Sequence, residues 1–215
     1  MVSIGDMAAS NKKRKSSRPK SLKMGVIAEE NNDVDVISAI TAKIVRDNSF
    51  SVAKFVGHGC GKVRRKCSAW AKNLKDKGCD LIVVIHDLDR HKESELRQDL
   101  EGKLECTEGT AALVLIPIEE MEAWLLTDGK ALKAVFKMRR IPKIPKNTEA
   151  IQSPKEFLAD VVSSNSKTQY LNTTHNKKLA AEIGLDSLNQ CPSFTTFPPF
   201  IEKVFPKGTH LPKAT

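Results

Sequence analysis

Four short segments in the first 117 residues are predicted to be β-strands. Three of them are continuous apolar runs, and charged or turn-forming residues bound each one. An apolar run of four to eight residues between such boundaries is typical of a strand covered on both faces. The predicted strands are residues 24–28, 51–56, 81–86 and 111–117.

Segments with helical periodicity separate these strands. After the first strand, Val34, Ile37, Ile40 and Ile44 recur at helical spacing, and the Asn and Asp residues at 31–33 are good helix caps. Two further helices are predicted at residues 62–77 and 92–104. The buried face of the first of these is predicted to contain Val63, Cys67, Trp70, Ala71 and Leu74. The alternation of strand and helix predicts an α/β fold, a parallel four-stranded sheet with helices on both faces.

Beyond Pro117 the alternation stops, and only helices are predicted. In residues 118–126 we expect Ile118, Met121 and Leu125 to face inward, while Ser153 before Pro154 is a strong helix start. The predicted helices are residues 118–126, 129–138, 154–162, 176–183 and 193–204, with a proline-containing loop at 139–146. We therefore predict an α/β domain at 24–127 and a C-terminal helical extension at 128–205 that packs on it.

The net charge of +9 on 215 residues is unevenly distributed. Residues 1–23 contain seven basic residues and one acid, a net charge of +6. This segment has few apolar residues, so we expect a disordered basic arm that is able to bind phosphates or has no role beyond solubility. We also expect residues 206–215 to be a loose tail.

Composition argues against several classes of protein. The five cysteines form no CxxC pair, so neither a zinc site nor a disulfide framework is predicted, and a reducing, cytoplasmic environment is expected. No apolar run approaches the roughly 20 residues of a membrane span. No apolar segment follows the basic N-terminus, so we expect no secretory signal peptide.

Acidic residues follow three of the four predicted strands. Glu29 follows the first strand, Asp87 and Asp89 follow the third, and Glu119 and Glu120 follow the fourth. In open parallel sheets, functional sites lie beyond the carboxyl ends of the strands. Grouped carboxylates repel one another and attract hard cations such as Mg²⁺ or Mn²⁺. Asp87 and Asp89 alone are equally well explained as turn and capping residues; the convergence of strand ends favours a metal site.

The glycine-rich turn at residues 57–61 lies between a predicted strand and a predicted helix. Its spacing differs from that of a nucleotide-binding P-loop, so we interpret it first as a tight turn and second as a phosphate contact. His86 and His91 flank the aspartates, where a histidine is more often a hydrogen-bonding group than a metal ligand. No GxSxG nucleophile motif is present.

The order of these acids resembles the Toprim domain of topoisomerases, primases and OLD-family nucleases. That pattern places a Glu after the first strand, often within E-G-x-x-D, and a DxD after a later strand. Here Glu29 and Asp33 correspond to the first part and Asp87-x-Asp89 to the second, with Glu30 in place of the usual glycine.

Residues 120–126 (EMEAWLL) are similar to the E-x-E-A-W-L-L element of a small Toprim-like branch found in bacterial genomes and mobile defence loci. The resemblance covers residues 24–127, and more loosely the helices up to residue 205. It implies a Toprim-like, Rossmann-like fold and metal-dependent phosphoryl transfer on nucleic acid.

The resemblance also implies roles for individual residues. The implied catalytic residues are Glu29, Asp87 and Asp89. The implied Mg²⁺ (or Mn²⁺) ligands are Glu29, Asp33, Asp87, Asp89, Glu120 and Glu122. The candidate nucleic-acid-binding residues are Lys62, Arg64, Arg65, Arg139, Arg140, Lys143 and Lys177.

The leading hypothesis is a Mg²⁺-dependent nuclease, with DNA favoured over RNA as the substrate, acting in antiphage defence or on mobile elements. The alternative is a non-catalytic Toprim-like module that binds nucleic acid or a partner protein such as an ATPase. A third class, a nucleotide-binding doubly wound protein, predicts nucleotide affinity that survives the loss of Asp87 and Asp89. A homo-oligomer is compatible with each hypothesis, and no membrane association is expected.

Overall fold

The computed structural model describes residues 22–46 and 50–205. The predicted basic arm, apart from its last two residues, and the predicted tail at 206–215 lie outside these ranges. The strands are β1 (Lys23–Ala28), β2 (Ser51–Val56), β3 (Leu81–Ile85) and β4 (Ala111–Leu115). The α-helices in the described ranges are α1 (Asn31–Val45), α2 (Cys60–Asp76), α3 (Glu93–Leu104), α4 (Glu122–Leu125), α5 (Gly129–Phe136), α6 (Pro154–Asn165), α7 (Asn172–Glu182), α8 (Leu185–Leu188) and α9 (Phe197–Val204).

The four strands form one parallel sheet in the order β2-β1-β3-β4. Val26 in β1 lies opposite Lys54 of β2 on one side and Val83 of β3 on the other. The predicted α/β class, a parallel four-stranded sheet with C-terminal helices, is confirmed. All four strands end at the same edge of the sheet, which we call the carboxyl edge.

Side chains alternate between the two faces of the sheet, as the pleat of a strand requires. In β3, Leu81, Val83 and Ile85 join the core beneath α1 and the C-terminal helices, whereas Ile82 and Val84 join the core beneath α2 and α3. Both sets are fully buried or nearly so. The continuous apolar sequence of β3 therefore results from coverage on both faces.

Gly25 allows α2 to lie close to the sheet. A Cβ atom at this position would be 3.0 Å from Cδ1 of Leu74 in α2 and 3.3 Å from Sγ of Cys79. A side chain on Gly25 would therefore push α2 away from β1.

The C-terminal helices share one core with the sheet. Helix α7 packs along α1, and α9 contacts both α1 and β4. Leu179 of α7 and Phe194 are fully buried in the same apolar cluster as Val83 of β3. The extension predicted at 128–205 thus covers α1 and one face of the sheet.

The predicted helix at 118–126 is wrong in its first half. The chain is helical only at Glu122–Leu125, and Glu119 has a left-handed backbone with φ of 59°. Ile118 is half-buried instead of facing fully inward. The left-handed backbone of Glu119 is incompatible with a right-handed helix that starts at residue 118.

Other helix ends also differ from prediction. Helix α1 is capped by Glu30 instead of residues 31–33, α2 begins at Cys60, and α7 begins at Asn172. The single helix predicted at 193–204 is divided into a 3₁₀ turn at Pro192–Phe194 and α9. Local capping contacts, such as the capping box between Glu30 and Asp33, accompany these ends, and periodicity does not report them.

Within the ranges that the structure describes, no helix has both the length and the apolar composition needed to span a bilayer.

Candidate functional site

Acidic side chains from separate chain segments meet at the carboxyl edge. Glu29 follows β1, Asp33 lies in the first turn of α1, Asp87 and Asp89 follow β3, and Glu122 begins α4. Burial, and then the charges of Asp33, Glu122, Glu29 and Asp89, raise the pKa of Asp87 well above its ordinary range. We call these five residues the acidic cluster. The Toprim resemblance implies all five as metal ligands, together with Glu120, and the fold brings the five together.

Glu29 has a carboxylate oxygen without a hydrogen-bond partner. Its side chain is 18% exposed, and burial, followed by the charges of Asp89 and Asp33, raises its pKa to about 7. Among the described residues, nothing hydrogen-bonds to its Oε1 atom. A buried, unpartnered oxygen is costly, and a cation or water is the usual solution.

His86 lies directly beside Glu29. Its Nδ1 atom is 2.6 Å from the carbonyl oxygen of Asp87 and 3.3 Å from Oε1 of Glu29. Because a carbonyl only accepts, Nδ1 carries the proton and Nε2 does not. The side chain is fully buried, burial lowers its pKa, and Nε2 has no hydrogen-bond partner within the described chain. Burial therefore favours the neutral imidazole of His86, with its proton on Nδ1.

Asp33 connects the cluster to the start of α1. Its Oδ2 accepts a hydrogen bond from the backbone N–H of Glu30 at 2.8 Å, and its Oδ1 accepts one from Nδ2 of Asn32 at 3.2 Å. Burial raises its pKa to about 7, the Glu30 N–H opposes this, and the charges of Glu122 and Glu30 add to it. Asp33 thus closes the capping box of α1 while it faces other carboxylates.

Asp87 and Asp89 occupy different environments. Asp87 accepts a hydrogen bond from the backbone N–H of Met121 at 3.1 Å. Asp89 is exposed, has φ of 48°, and donates its backbone N–H to the carbonyl of Glu119 at 3.4 Å. The aspartates therefore do not lie side by side on an extended strand, because β3 ends at Ile85 and the chain turns. One carboxylate is enclosed and the other faces solvent.

Glu122 and Glu120 hold the helical extension in place. Glu122 is 5% exposed, and its Oε1 accepts hydrogen bonds from the Tyr170 hydroxyl at 2.9 Å and from Nδ2 of Asn176 at 3.0 Å. Glu120 accepts the backbone N–H of Lys155, in the first turn of α6, at 2.9 Å. Glu120 and Glu122 therefore each have one carboxylate oxygen that accepts a hydrogen bond from the C-terminal extension.

The sequence did not indicate the partners of Glu122. Tyr170 and Asn176 are 48 and 54 residues away from it along the chain. Tyr170 stands out only as the single tyrosine, and Asn176 belongs to a helix with little amphipathic character. Neither periodicity nor motif spacing could have linked them to the carboxyl edge.

An open cleft adjoins the exposed side of the cluster. It has a volume of about 440 Å³ and lies between the loop after β3 and the start of α6. Its lining includes Asp89, Glu119 and Glu120, together with cationic or donor groups from Arg90 and His91. A ligand in this cleft would contact the exposed carboxylate of Asp89.

The predicted nucleic-acid-binding residues occupy three locations. Lys62, Arg64 and Arg65 lie in the first turns of α2, which starts near the carboxyl edge. Lys177 of α7 is exposed and 3.7 Å from Asp35 of α1. The third location is the loop that covers Gly129 at the start of α5, where the exposed residues are Arg139, Arg140 and Lys143.

No preformed metal cage is present in the part of the chain that the structure describes. Within residues 22–46 and 50–205, no three His, Cys, Asp or Glu side chains are arranged to enclose a metal ion together. Oδ1 of Asp87 instead accepts a hydrogen bond from the N–H of Met121, and Oε1 of Glu122 accepts two, from Tyr170 and Asn176. The acidic cluster therefore does not form a closed metal site, and Oε1 of Glu29 is an oxygen of the cluster without a hydrogen-bond partner in the described chain.

Comparison with known proteins identifies the family of this chain. Residues 28–202 match the family model described as Domain of unknown function (DUF4276). A search of curated proteins and a search of solved structures each found no match. The matched segment begins at the last residue of β1 and contains the acidic cluster, the cleft and most of α9. The chain belongs to the DUF4276 family.

Proposed function

We propose that this protein is a Mg²⁺-dependent nuclease that hydrolyses phosphodiester bonds in DNA or RNA. The observation that supports this most directly is the acidic cluster at the carboxyl edge of a parallel sheet. Five carboxylates from different segments lie close enough for their charges to act on one another. Grouped carboxylates of this kind are a common means of binding a catalytic divalent cation.

The chemistry of the cluster fits Mg²⁺, although no closed cage exists among the described residues. Mg²⁺ usually binds one or two carboxylates and keeps several water ligands, so it needs no all-protein cage. Oε1 of Glu29 is unpartnered in the described chain, and Asp89 is exposed at the cleft. These two residues and Asp87, whose carboxyl their charges affect, would hold the ion. Mn²⁺ would suit the same oxygens.

A divalent cation at this position would polarise the scissile phosphate and increase the acidity of a bound water. In the metal-free protein, burial and the charges of Asp89 and Asp33 raise the pKa of Glu29 to about 7, and a bound cation would favour its carboxylate form. As a carboxylate, Glu29 would bind the ion or accept the proton of the attacking water. The buried ring of His86, with Nδ1 3.3 Å from Oε1 of Glu29, would limit the space into which this carboxylate can turn. Asp33 and Glu122 would add negative charge behind this group.

The cleft offers space for the substrate beside Asp89. A volume of about 440 Å³ lies within the range of about 300–1,000 Å³ that small-molecule sites occupy, enough for one nucleotide unit. Arg90 and His91 provide the groups that would contact its phosphate. Nucleic acid as the substrate, a role in antiphage defence and a partner ATPase all come from the Toprim resemblance and belong to the proposal.

The test is cleavage of supercoiled plasmid, single-stranded DNA and RNA by the full-length protein with Mg²⁺ or Mn²⁺, and with EDTA. The variant Asp87→Asn/Asp89→Asn keeps an oxygen for the Met121 N–H and removes two charges. We expect it to lose roughly 100-fold or more of the activity, since even residues that only support metal ligands contribute about 10–100-fold.

The matched control is Asp76→Asn, an exposed carboxylate at the end of α2. Helix α2 runs back from the carboxyl edge, so Asp76 lies at the opposite edge of the sheet, and its variant should cleave like the wild type. Cleavage that survives in EDTA or in the double variant would refute the proposal. A folded wild type that binds nucleic acid but never cleaves it would support the non-catalytic module instead.

A further inference from the structure

The outward face of α2 is strongly basic. Lys62, Arg65, Lys66 and Lys72 are all exposed. At about 100° per residue they fall within an arc of about 120°, opposite the buried side of the helix. Among the residues that the structure describes, no acid lies within ion-pair distance of any of the four. Their charges are available to a polyanion.

Arg64 differs from these four basic residues because it forms an ion pair with a neighbouring helix. Its Nε atom is 3.1 Å from Oδ2 of Asp99 in α3, and it lies on the flank of α2 that faces that helix. Arg64 therefore joins α2 to α3 and is not counted with the outward cations. The sequence analysis predicts Arg64 to bind nucleic acid together with Lys62 and Arg65.

An aromatic pair continues the row of cations along α2. Lys62, Lys66 and Trp70 are spaced four residues apart and so form one ridge of the helix. Trp70 is half-buried and stacks on Phe55 of β2, with ring centroids 5.3 Å apart and planes 5° from parallel. The Nζ atom of Lys77 lies 4.9 Å from the centre of the Phe55 ring.

This basic-aromatic row starts beside the acidic cluster. The turn before α2 is attached to β1 by a hydrogen bond from the N–H of His58 to the carbonyl of Glu29, at 2.8 Å. From Lys62 to Lys77 the helix extends about 22 Å, at about 1.5 Å per residue. A chain bound along the row would therefore lead to the carboxyl edge.

We propose that the row formed by Lys62, Lys66, Trp70 and Lys77 binds single-stranded nucleic acid and directs it to the acidic cluster. The destination of the strand rests on the proposed function; the binding itself does not. Cations that follow a phosphate backbone, interrupted by an aromatic ring for an unpaired base, are the usual elements of a single-strand site. A duplex keeps its bases paired and would meet only the cations.

The experiment measures binding by fluorescence anisotropy with the full-length protein in EDTA, so that no metal-dependent cleavage occurs. The probes are a labelled single-stranded DNA, the same sequence as RNA, and the DNA duplex, each over a range of salt concentrations. The variants are Lys62→Glu/Lys66→Glu, Trp70→Leu and Trp70→Phe. The control for charge is Lys130→Glu/Lys133→Glu, which changes two exposed lysines of α5 and shifts the net charge equally.

We expect Lys62→Glu/Lys66→Glu to weaken single-strand binding at least tenfold more than the α5 control. The slope of log affinity against log salt should fall in magnitude by about 1.4, since each phosphate contact on a single strand contributes about 0.7. Trp70→Leu should weaken single-strand binding about fivefold or more and leave duplex binding unchanged, and Trp70→Phe should retain most of it. DNA and RNA strands should respond alike.

Equal losses in the α2 and α5 double variants would overturn the proposal, because binding would then depend on net charge alone. Equal effects of Trp70→Leu on single strands and duplex would overturn the preference for single strands. If Trp70→Leu fails to fold by circular dichroism, the exposed lysine pair and Trp70→Phe still decide the outcome. Normal binding without any cleavage would contradict the nuclease proposal only, whereas cleavage without loss of binding in the lysine variant would contradict this one only.

Discussion

The charge of Asp33 should destabilise the metal-free protein at neutral pH, and Asp33→Asn should relieve this effect. Asp33 is half-buried among carboxylates, and its pKa is raised from an ordinary value of 3.8 to about 7. Asparagine has nearly the same shape and keeps an oxygen that can accept the N–H of Glu30. The substitution therefore removes charge while it preserves the cap of α1.

The size of this destabilisation and its pH dependence follow from the difference in the proton affinity of Asp33 between the folded and unfolded states. A pKa raised from 3.8 to about 7 corresponds to about 4 kcal/mol, at about 1.4 kcal/mol for each tenfold change. The folded protein binds the extra proton, so stability falls as pH rises from about 4 to about 7 and stays low above that. About 1.5 kcal/mol of this loss is already present at pH 5, which leaves about 2.5 kcal/mol to appear between pH 5 and pH 8.

These values are upper bounds, because neighbouring carboxyls also take up protons and share the repulsion. The helix dipole opposes the effect by about 0.3–1 kcal/mol, since a negative charge in the first turn of α1 is favourable. We therefore expect Asp33→Asn to gain about 1–2 kcal/mol relative to the wild type when the pH increases from 5 to 8.

The assay is chemical denaturation of the wild type and Asp33→Asn at pH 5 and pH 8 in EDTA, with Asp76→Asn as the exposed control. The free energy of unfolding of Asp33→Asn minus that of the wild type should increase with pH. The same difference for Asp76→Asn should stay constant. A difference that stays constant or shrinks with pH would refute the electrostatic argument. Saturating Mg²⁺ should then stabilise the wild type more than Asp33→Asn, because a ligand stabilises the form that binds it.

Three further substitutions test the packing around the site, each by the free energy of unfolding from chemical denaturation. Tyr170→Phe should lower this free energy by about 1–3 kcal/mol, since it removes a buried hydroxyl 2.9 Å from Glu122 and 2.6 Å from Asn176. A denaturation midpoint equal to that of the wild type would show that these contacts do not contribute to stability. Gly57→Ala should cost about 1–3 kcal/mol, because the added methyl would lie 2.7 Å from Cγ2 of Val63 and 2.9 Å from a backbone oxygen; an unchanged midpoint would mean that the turn can shift. Trp124→Phe should cost about 1–3 kcal/mol through the lost 2.8 Å hydrogen bond to Ser193 and the volume left empty, and a loss below about 0.5 kcal/mol would contradict this.

The strands were predictable because each one combines a characteristic composition with clear boundaries. β2 has the predicted bounds, and β3 differs from prediction by one residue at its end. In β3, full burial on both faces requires a continuous apolar sequence, and this requirement is visible without any knowledge of the partners. β2 is an edge strand whose residues are exposed or half-buried, so this argument does not apply to it. The strand order β2-β1-β3-β4 was not predictable from the residues, because it depends on which strands pair.

The segment after β4 shows where local prediction failed. Residues 118–126 have the composition of a helix, yet the chain turns at Glu119 and becomes helical only at Glu122. The N–H of Met121 is bonded to Asp87, and Glu120 accepts an N–H from α6. These contacts come from other segments, and together they outweigh the local preference for helix.

The gathering of acidic residues at one edge of a parallel sheet is predictable from the residues alone. It follows from chain direction, since parallel strands end on the same side and Glu29 and Asp87 each come just after a strand. Which carboxylates are enclosed and which are free depends on how the C-terminal helices pack against the sheet. Glu122 is enclosed because Tyr170 and Asn176 reach it from 48 and 54 residues away. The local pattern of residues holds no information about such long-range contacts, because they form only when the extension packs against the sheet.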